Sequence, residues 1–454
     1  MLVIVSDLHL VDGTCTQPVS AAAFQQFADR LNELAVSASW RGDQTYRPLE
    51  AMDILLLGDI IDPLHSLRWL EEPNASIRPW SDSQSPAFAD KLHLITQAIL
   101  QNNLASVKVL HDLSQGKLIH LLPSDRRGHI AFDTRERIPV KIRLHYMVGN
   151  HDWYYHLPGS RFNAIRQEII TTLGLANTNS PFPHQVSEST TLQNLLGSYN
   201  VFARHGDIFD AFNYDPRHGR DFATIGDAFA IEVGNRFTYE VARLMGAEVL
   251  PGVLKGLGEL ANVRPTLLVP VWISSQLRQY QVPALAQRKI KSIWDDLCRQ
   301  FLKLDIVREA DQRFKFDAVD ALEALLGLTR ITSFKTMDQV VTWVRDKFNS
   351  GHLNFARNVL QEKHFLDKTA QFFVYGHTHF HEVVPLDSQL APGRQPFNQV
   401  YFNTGTWHTY YDLAVNKPAE QKFIPYQVLS YAAFFMGDQR GGRRFETWSG
   451  AFSG

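Results

Sequence analysis

Five short motifs carry metal-binding residue types at intervals along the chain: Ser6-Asp7-Leu8-His9, Gly58-Asp59-Ile60-Ile61-Asp62, Gly149-Asn150-His151-Asp152, Arg204-His205-Gly206-Asp207 and Gly376-His377-Thr378-His379. Carboxylate oxygen and imidazole nitrogen together suit Mn, Fe, Zn, Co or Ni, and the lack of thiolates argues against a structural zinc site. Singly, each motif is a weak signal. An Asp-x-His pair is common by chance, and Asn or Asp after Gly is ordinary turn chemistry. Gly-His-x-His says more, because two imidazoles one residue apart can both reach a metal. The weight lies in the joint occurrence, each motif following an apolar run.

Those apolar runs are the elements that must position the motifs. Leu2–Val5, Asp53–Leu57, Leu144–Val148, Asn200–Ala203, Phe372–Tyr375 and Val400–Asn403 read as short buried strands, each followed at once by polar residues or Gly. Helical patterns lie between them. Ala21–Leu34 follows Ser20 as an N-cap, and Ala87–Leu113 follows Ser85-Pro86. Strands alternating with helices predict an α/β sheet covered on both faces. In such sheets ligands bind beyond the carboxyl ends of the strands, where all five motifs would then converge.

Residues 215–364 read differently, as a mainly helical insertion or cap within a core formed by 1–214 and 365–454. Pro251-Gly252, Pro265, Pro270 and Pro283 break it. Its clearest helix carries Ile290, Ile293, Trp294, Leu297, Phe301 and Leu304 as one stripe, best read as core packing. The basic opposite face (Arg288, Lys289, Lys291, Arg299, Lys303) leaves peripheral membrane contact as the minor alternative. After Pro396 a strand-like run gives way to an aromatic, Gly-rich tail with a loose end at Ser449–Gly454.

The chain has 454 residues, 44% apolar and 20% charged, which excludes collagen-like, low-complexity and wholly disordered classes. A formal charge of -2 gives no basic footprint for a general nucleic-acid partner. Cys15 and Cys298 cannot make a disulfide framework, and the start MLVIVSDLHL has no basic stretch or long apolar region of a secretory signal. The expectation is a cytoplasmic protein of unspecified oligomeric state.

In this order the motifs resemble the calcineurin-like metallophosphoesterase superfamily: Asp-x-His, Gly-Asp-x-x-Asp, Gly-Asn-His-Asp, a lone His and Gly-His-x-His. The insertion, about a third of the chain, has no counterpart in that pattern. The resemblance implies a β-sandwich flanked by helices and two divalent cations, Mn first, with Fe, Zn, Co, Ni or Mg as alternatives. One would be held by Asp7, His9, Asp59 and His379, the other by Asp59, Asn150, His205 and His377, with Asp59 shared. It further implies hydrolysis of a phosphoester or pyrophosphate by a metal-bridging hydroxide. His151 would be the general acid, and Asp152 would hold the ring of His151.

Among subgroups, Pro63-Leu64 and Asp152 depart from the Ser/Thr protein phosphatases. The first, second and fourth motifs look more like bacterial UDP-diacylglucosamine pyrophosphatases, which are much shorter, and some carry Arg where His151 stands. The substrate expected is a small or lipid-linked phosphate ester. The alternatives are a UDP-sugar or lipid-precursor pyrophosphatase, or a catalytically silent metal-binding scaffold whose insertion binds a partner. Asp62 would support a ligand or cap a helix. Asp207 and Asp210 would orient His205 or cap the next element. Gly58, Gly149, Gly206 and Gly376 would permit tight turns. Arg217, His218 and Arg220 read as a surface loop, with a phosphate contact the lesser reading. His65, His111 and His352 read as ordinary core or surface residues, and Asn403-Thr404-Gly405-Thr406-Trp407 as a structural closing segment.

Overall fold

The structure, a computed structural model, describes residues 1–71, 76–246, 249–264, 266–310, 355–390, 396–414, 420 and 422–451. The chain is mixed α/β. Its strands are β1 Leu2–Val5, β2 Ala51–Leu57, β3 His120–Leu121, β4 Ile138–Pro139, β5 Lys141–Met147, β6 Val201–Ala203, β7 Val263–Arg264, β8 Phe372–Tyr375, β9 His381–Gln389, β10 Phe397–Thr404, β11 Tyr410–Leu413, β12 Phe423–Tyr426, β13 Val428–Phe434 and β14 Phe445–Ala451. A five-stranded sheet runs β14-β13-β1-β2-β5 and a four-stranded sheet β6-β8-β10-β9. Smaller sheets run β12-β11-β7 and β3-β4. Within the two larger sheets, β1, β2 and β5 are mutually parallel, as are β6, β8 and β10.

Period-two alternation explains how these strands bury both faces. Leu2, Ile4, Leu55, Leu57 and Met147 share a core with Val201, Phe372, Val374 and Phe402 of the other sheet. The alternate residues Val3, Val5, Ile54, Leu56 and Leu144 face helices α1 Ala21–Ala38, α2 Pro86–Asn102, α3 Leu104–Ser114 and α4 Ser160–Leu173. Ser20 caps α1 through its hydroxyl, and Ser85 with Pro86 opens α2. The single helix read over Ala87–Leu113 is two, broken at Asn103. The Asn103 backbone departs from helical dihedrals (φ -105°, ψ 21°), and its side-chain amide donates to the carbonyls of Val11 and Ile99, each at 2.8 Å.

The described part of the insertion has its own core. Its helices include α5 Arg236–Met245, α6 Pro251–Gly258, α7 Val269–Gln279 and α8 Ala284–Phe301. Ile290, Trp294, Leu297 and Phe301 of the apolar stripe on α8 are buried among Phe237, Val241, Val253 and Ile273. On its opposite face Lys291 pairs with Asp295, and Arg299 with Asp296. Beyond 354, Phe355, Ala356, Val359 and Phe365 pack instead on Phe202, Phe373 and Tyr401, the outer face of the four-stranded sheet. The tail expected to be loose at Ser449–Gly454 is ordered through Ala451, where β14 pairs with β13, and its last three residues lie outside the described ones. No helix among the described residues is long and apolar enough to cross a membrane.

Candidate metal centre

Each motif sits just beyond the carboxyl end of a parallel strand, and main-chain hydrogen bonds draw the turns together. The amides of Asp7, His9 and Leu10 donate to the carbonyls of Gly58, Asp59 and Ile60 at 3.0, 2.9 and 2.8 Å, so the turns after β1 and β2 continue the pairing of their strands. The His377 amide reaches the Asp7 carboxylate (3.1 Å), and the His151 amide reaches Asp59 Oδ1 (2.8 Å). Asp7, His9, Asp59, His377 and His379 all adopt positive φ, between 42° and 70°. A non-glycine residue there costs on the order of 1–3 kcal/mol, and such strain clusters at functional sites.

The seven side chains expected as ligands form two adjoining groups. In one, His9 Nε2 is 3.1 Å from His379 Nε2, and His379 Nε2 is 3.5 Å from Asp7 Oδ1. In the other, His205 Nε2 is 3.2 Å from Asn150 Oδ1, which is 3.0 Å from His377 Nδ1. Asp59 Oδ2 lies between them, 3.1 Å from His205 Nε2 and 4.0 Å from His9 Nε2. These His and Asp side chains, all buried except the half-buried His377, form groups able to hold a metal ion.

The remote ring nitrogens are held in the manner of metal-ligating imidazoles. His205 Nδ1 donates to the Leu57 carbonyl (3.0 Å), His9 Nδ1 to Asp62 (2.8 Å) and His377 Nε2 to Asp210 (3.0 Å). The opposite lone pairs are thereby turned inward. Carboxylate, imidazole and amide oxygen without thiolate form a donor set that fits hard or borderline divalent cations. The backbone leaves room for little else: a Cβ on Gly149 would stand 2.3 Å from Asp59 Oδ1, and one on Gly376 would stand 2.4 Å from Asp7 Oδ2.

Charge reinforces this. Burial lowers the pKa of His205, but the carboxylates of Asp59 and Asp7 outweigh it and push it up to about 10. Burial likewise opposes charge on Asp59, yet His205, His151 and His9 hold its carboxyl far below the usual range. A field that draws a proton onto His205 also draws a cation. His379 differs: burial and then Arg264 keep its pKa well below that of an ordinary imidazole, leaving it neutral.

Four details depart from the sequence reading. Asp152 does not hold His151; its carboxylate accepts from Tyr146 Oη (2.6 Å), the Ile60 amide (2.9 Å) and the Gly149 amide (2.5 Å), bracing the turn. His151 Nδ1 instead lies 3.0 Å from Asp62. Asp210 orients His377 and Asp207 binds Arg220, so neither orients His205. His65 is no bystander, since its Nδ1 also meets Asp62 at 2.8 Å and its ring lies 5.1 Å from that of His151.

The remaining candidates fall outside these two groups. Arg217 and His218 pair with Asp215 at the surface. His111 is a partly exposed helix residue, and His352 lies outside the described residues. The closing segment is structural: Asn403 donates to the Gly376 carbonyl (2.7 Å) and Thr406 to that of Asp7 (2.6 Å).

His9, Asp59, Asn150, His377 and His379 of the two groups line a cavity of about 770 Å³, and the insertion supplies much of its wall through Phe229, Leu260, Leu268 and Val269. Arg264, unmarked by any motif, also lines it. Burial lowers its pKa to about 10, which leaves it charged at neutral pH. Against known proteins, the chain matches no family model and no curated protein.

Proposed function

We propose that the chain is a phosphoester hydrolase that works with two divalent cations on a calcineurin-like metallophosphoesterase fold. The observation that carries this reading is the position of Asp59, between the Asp7–His9–His379 group and the Asn150–His205–His377 group. Asp7, His9, Asp59 and His379 would hold one cation, and Asp59, Asn150, His205 and His377 the other. Bound there, such a pair, manganese first among candidates, lowers the pKa of a water nucleophile and neutralises phosphoryl charge. Four positive charges against the two of Asp7 and Asp59 leave a formal surplus of about +2, suited to a phosphate dianion.

The chain's own contribution is orientation and proton transfer. Asp62 holds His151 through Nδ1, so that Nε2 is free to protonate a leaving oxygen. Burial opposes charge on this ring, but Asp62 and then Asp59 push its pKa up to about 9; with Asp59 engaged by the cations, Asp62 would be the carboxylate that favours a proton on His151. The reading is tested by loading the purified chain with Mn, measuring bound metal, and assaying p-nitrophenyl phosphate and bis-p-nitrophenyl phosphate. Two ions per chain with metal-dependent turnover are expected. Fewer than two ions and no turnover of either ester would overturn it in favour of a metal-binding scaffold.

A further inference from the structure

Arg264 is the only Lys or Arg among the described residues that line the cavity. It belongs to the insertion, where β7 lies parallel to β11 with Arg264 opposite Asp412. Its Nη1 donates to the carbonyls of Ala261 (2.7 Å) and Val263 (3.0 Å), which fixes the plane of the guanidinium. Its Nη2 reaches His379 Nδ1 at 2.7 Å.

No carboxylate forms an ion pair with Arg264 among the described residues. Arg220 and Arg143 show the contrast: Asp207 holds the first at 2.7 Å and Asp53 the second at 2.7 Å. Asp7 and Asp59 act on Arg264 only from a distance, without touching it, and a guanidinium that faces a cavity with no carboxylate bound to it is a site for an anion. Nor does the contact with His379 suit a supporting role. A histidine that ligates through Nε2 keeps its proton on Nδ1 and needs an acceptor there, whereas a guanidinium offers donors only.

The geometry points to Arg264 as a substrate-binding residue that donates to a phosphoryl oxygen, so that the insertion, and not only the metal-binding core, supplies a group that grips the substrate. This assignment rests on the phosphoesterase reading above. A planar guanidinium offers paired donors to phosphate oxygens, which an ammonium does not.

The experiment uses the full chain loaded with Mn, comparing wild type with Arg264→Ala, Arg264→Gln and Arg264→Lys. Bound metal, calorimetric binding of inorganic phosphate, and KM and kcat for p-nitrophenyl phosphate are measured on each. Arg264→Ala and Arg264→Gln are expected to keep the metal of the wild type while phosphate binding weakens about 10- to 100-fold, with KM rising in step. Arg264→Lys is expected to recover part of the affinity. Unchanged phosphate affinity in Arg264→Gln would overturn the assignment, as would a wild type that binds no phosphate. Loss of bound metal in step with affinity would overturn it too, making Arg264 a positioning residue for His379. A wild type that binds phosphate yet hydrolyses neither ester would defeat the proposed function alone, and the phosphate comparison would still decide the role of Arg264.

Discussion

His151 Nδ1 lies 3.0 Å from Asp62 Oδ2, so the carboxylate that holds this ring comes from the turn after β2 and not from the neighbouring Asp152. The same oxygen is 2.8 Å from His9 Nδ1 and 2.8 Å from His65 Nδ1. One buried carboxylate thus fixes a candidate metal ligand and the proposed acid together. The consequence is a shared dependence: displacing Asp62 would disturb the donor set and the proton donor at once, whereas displacing His151 would disturb only the second.

His151→Ala is therefore expected to keep bound metal at the level of the wild type while slowing hydrolysis by roughly 10²–10⁴-fold. The loss should grow as the leaving group becomes more basic, because a poor leaving oxygen depends most on protonation. A series of aryl phosphates with graded phenol pKa reads this as a steeper Brønsted slope. Equal slowing across the series would remove the acid role from His151.

Asp59→Asn tests the sharing of one carboxylate between the two donor groups. Its Oδ2 lies 3.1 Å from His205 Nε2 and 4.0 Å from His9 Nε2, one contact in each group. Exchange of the acid for an amide removes the negative charge common to both. Metal analysis after dialysis is expected to show loss of both ions and nearly all turnover. Retention of one ion would assign Asp59 to a single group.

The motifs that form the candidate metal centre were legible because their residue types are rare together and stand within a few positions of short, mainly apolar strand ends. β1 and β8 could be read for the same reason. β9 could not, since its side chains are mostly exposed and it contains Pro385. An edge strand tolerates both features, and here a register shift in β10 falls where Pro385 is paired. The residues that adjoin the candidate ligands from elsewhere were hidden by distance along the chain. Asp210 is 167 residues from His377, and Arg264 is 115 residues from His379. Neither belongs to a motif, and only the fold brings them together.

Away from the metal centre, Asp53 provides a test of acid stability. Burial alone would raise its pKa, but hydrogen bonds from His145 and Arg143 outweigh it and hold the carboxyl below its usual 3.8. A depressed folded-state pKa contributes stability that is present above the unfolded value and lost as pH falls through the folded one. Asp53→Asn should cost about 1–3 kcal/mol at neutral pH. It should also flatten the decline of stability below about pH 4. Chemical denaturation across pH measures both, and an unchanged acid limb would show that Asp53 contributes no such linkage.

The closeness of the turns makes Gly149 a sharp probe of whether the donor groups must meet. A Cβ there would lie 2.3 Å from Asp59 Oδ1, 2.7 Å from His205 Cδ2 and 2.8 Å from His205 Nε2. None of these atoms can yield without moving a predicted ligand, and the Asp59 oxygen also receives the His151 amide at 2.8 Å. Overpacking of this kind typically costs about 1–3 kcal/mol, which a chain with this much buried apolar material should survive. Gly149→Ala is therefore expected to stay folded, with a modestly lower Tm, while losing bound metal and most turnover. Gly42→Ala is the control, because a Cβ there meets nothing within 4 Å. If Gly149→Ala kept full metal content and activity alongside the control, the turns after β2, β5 and β6 would not need to approach so closely, and the proposed sharing of Asp59 would lose its geometric basis.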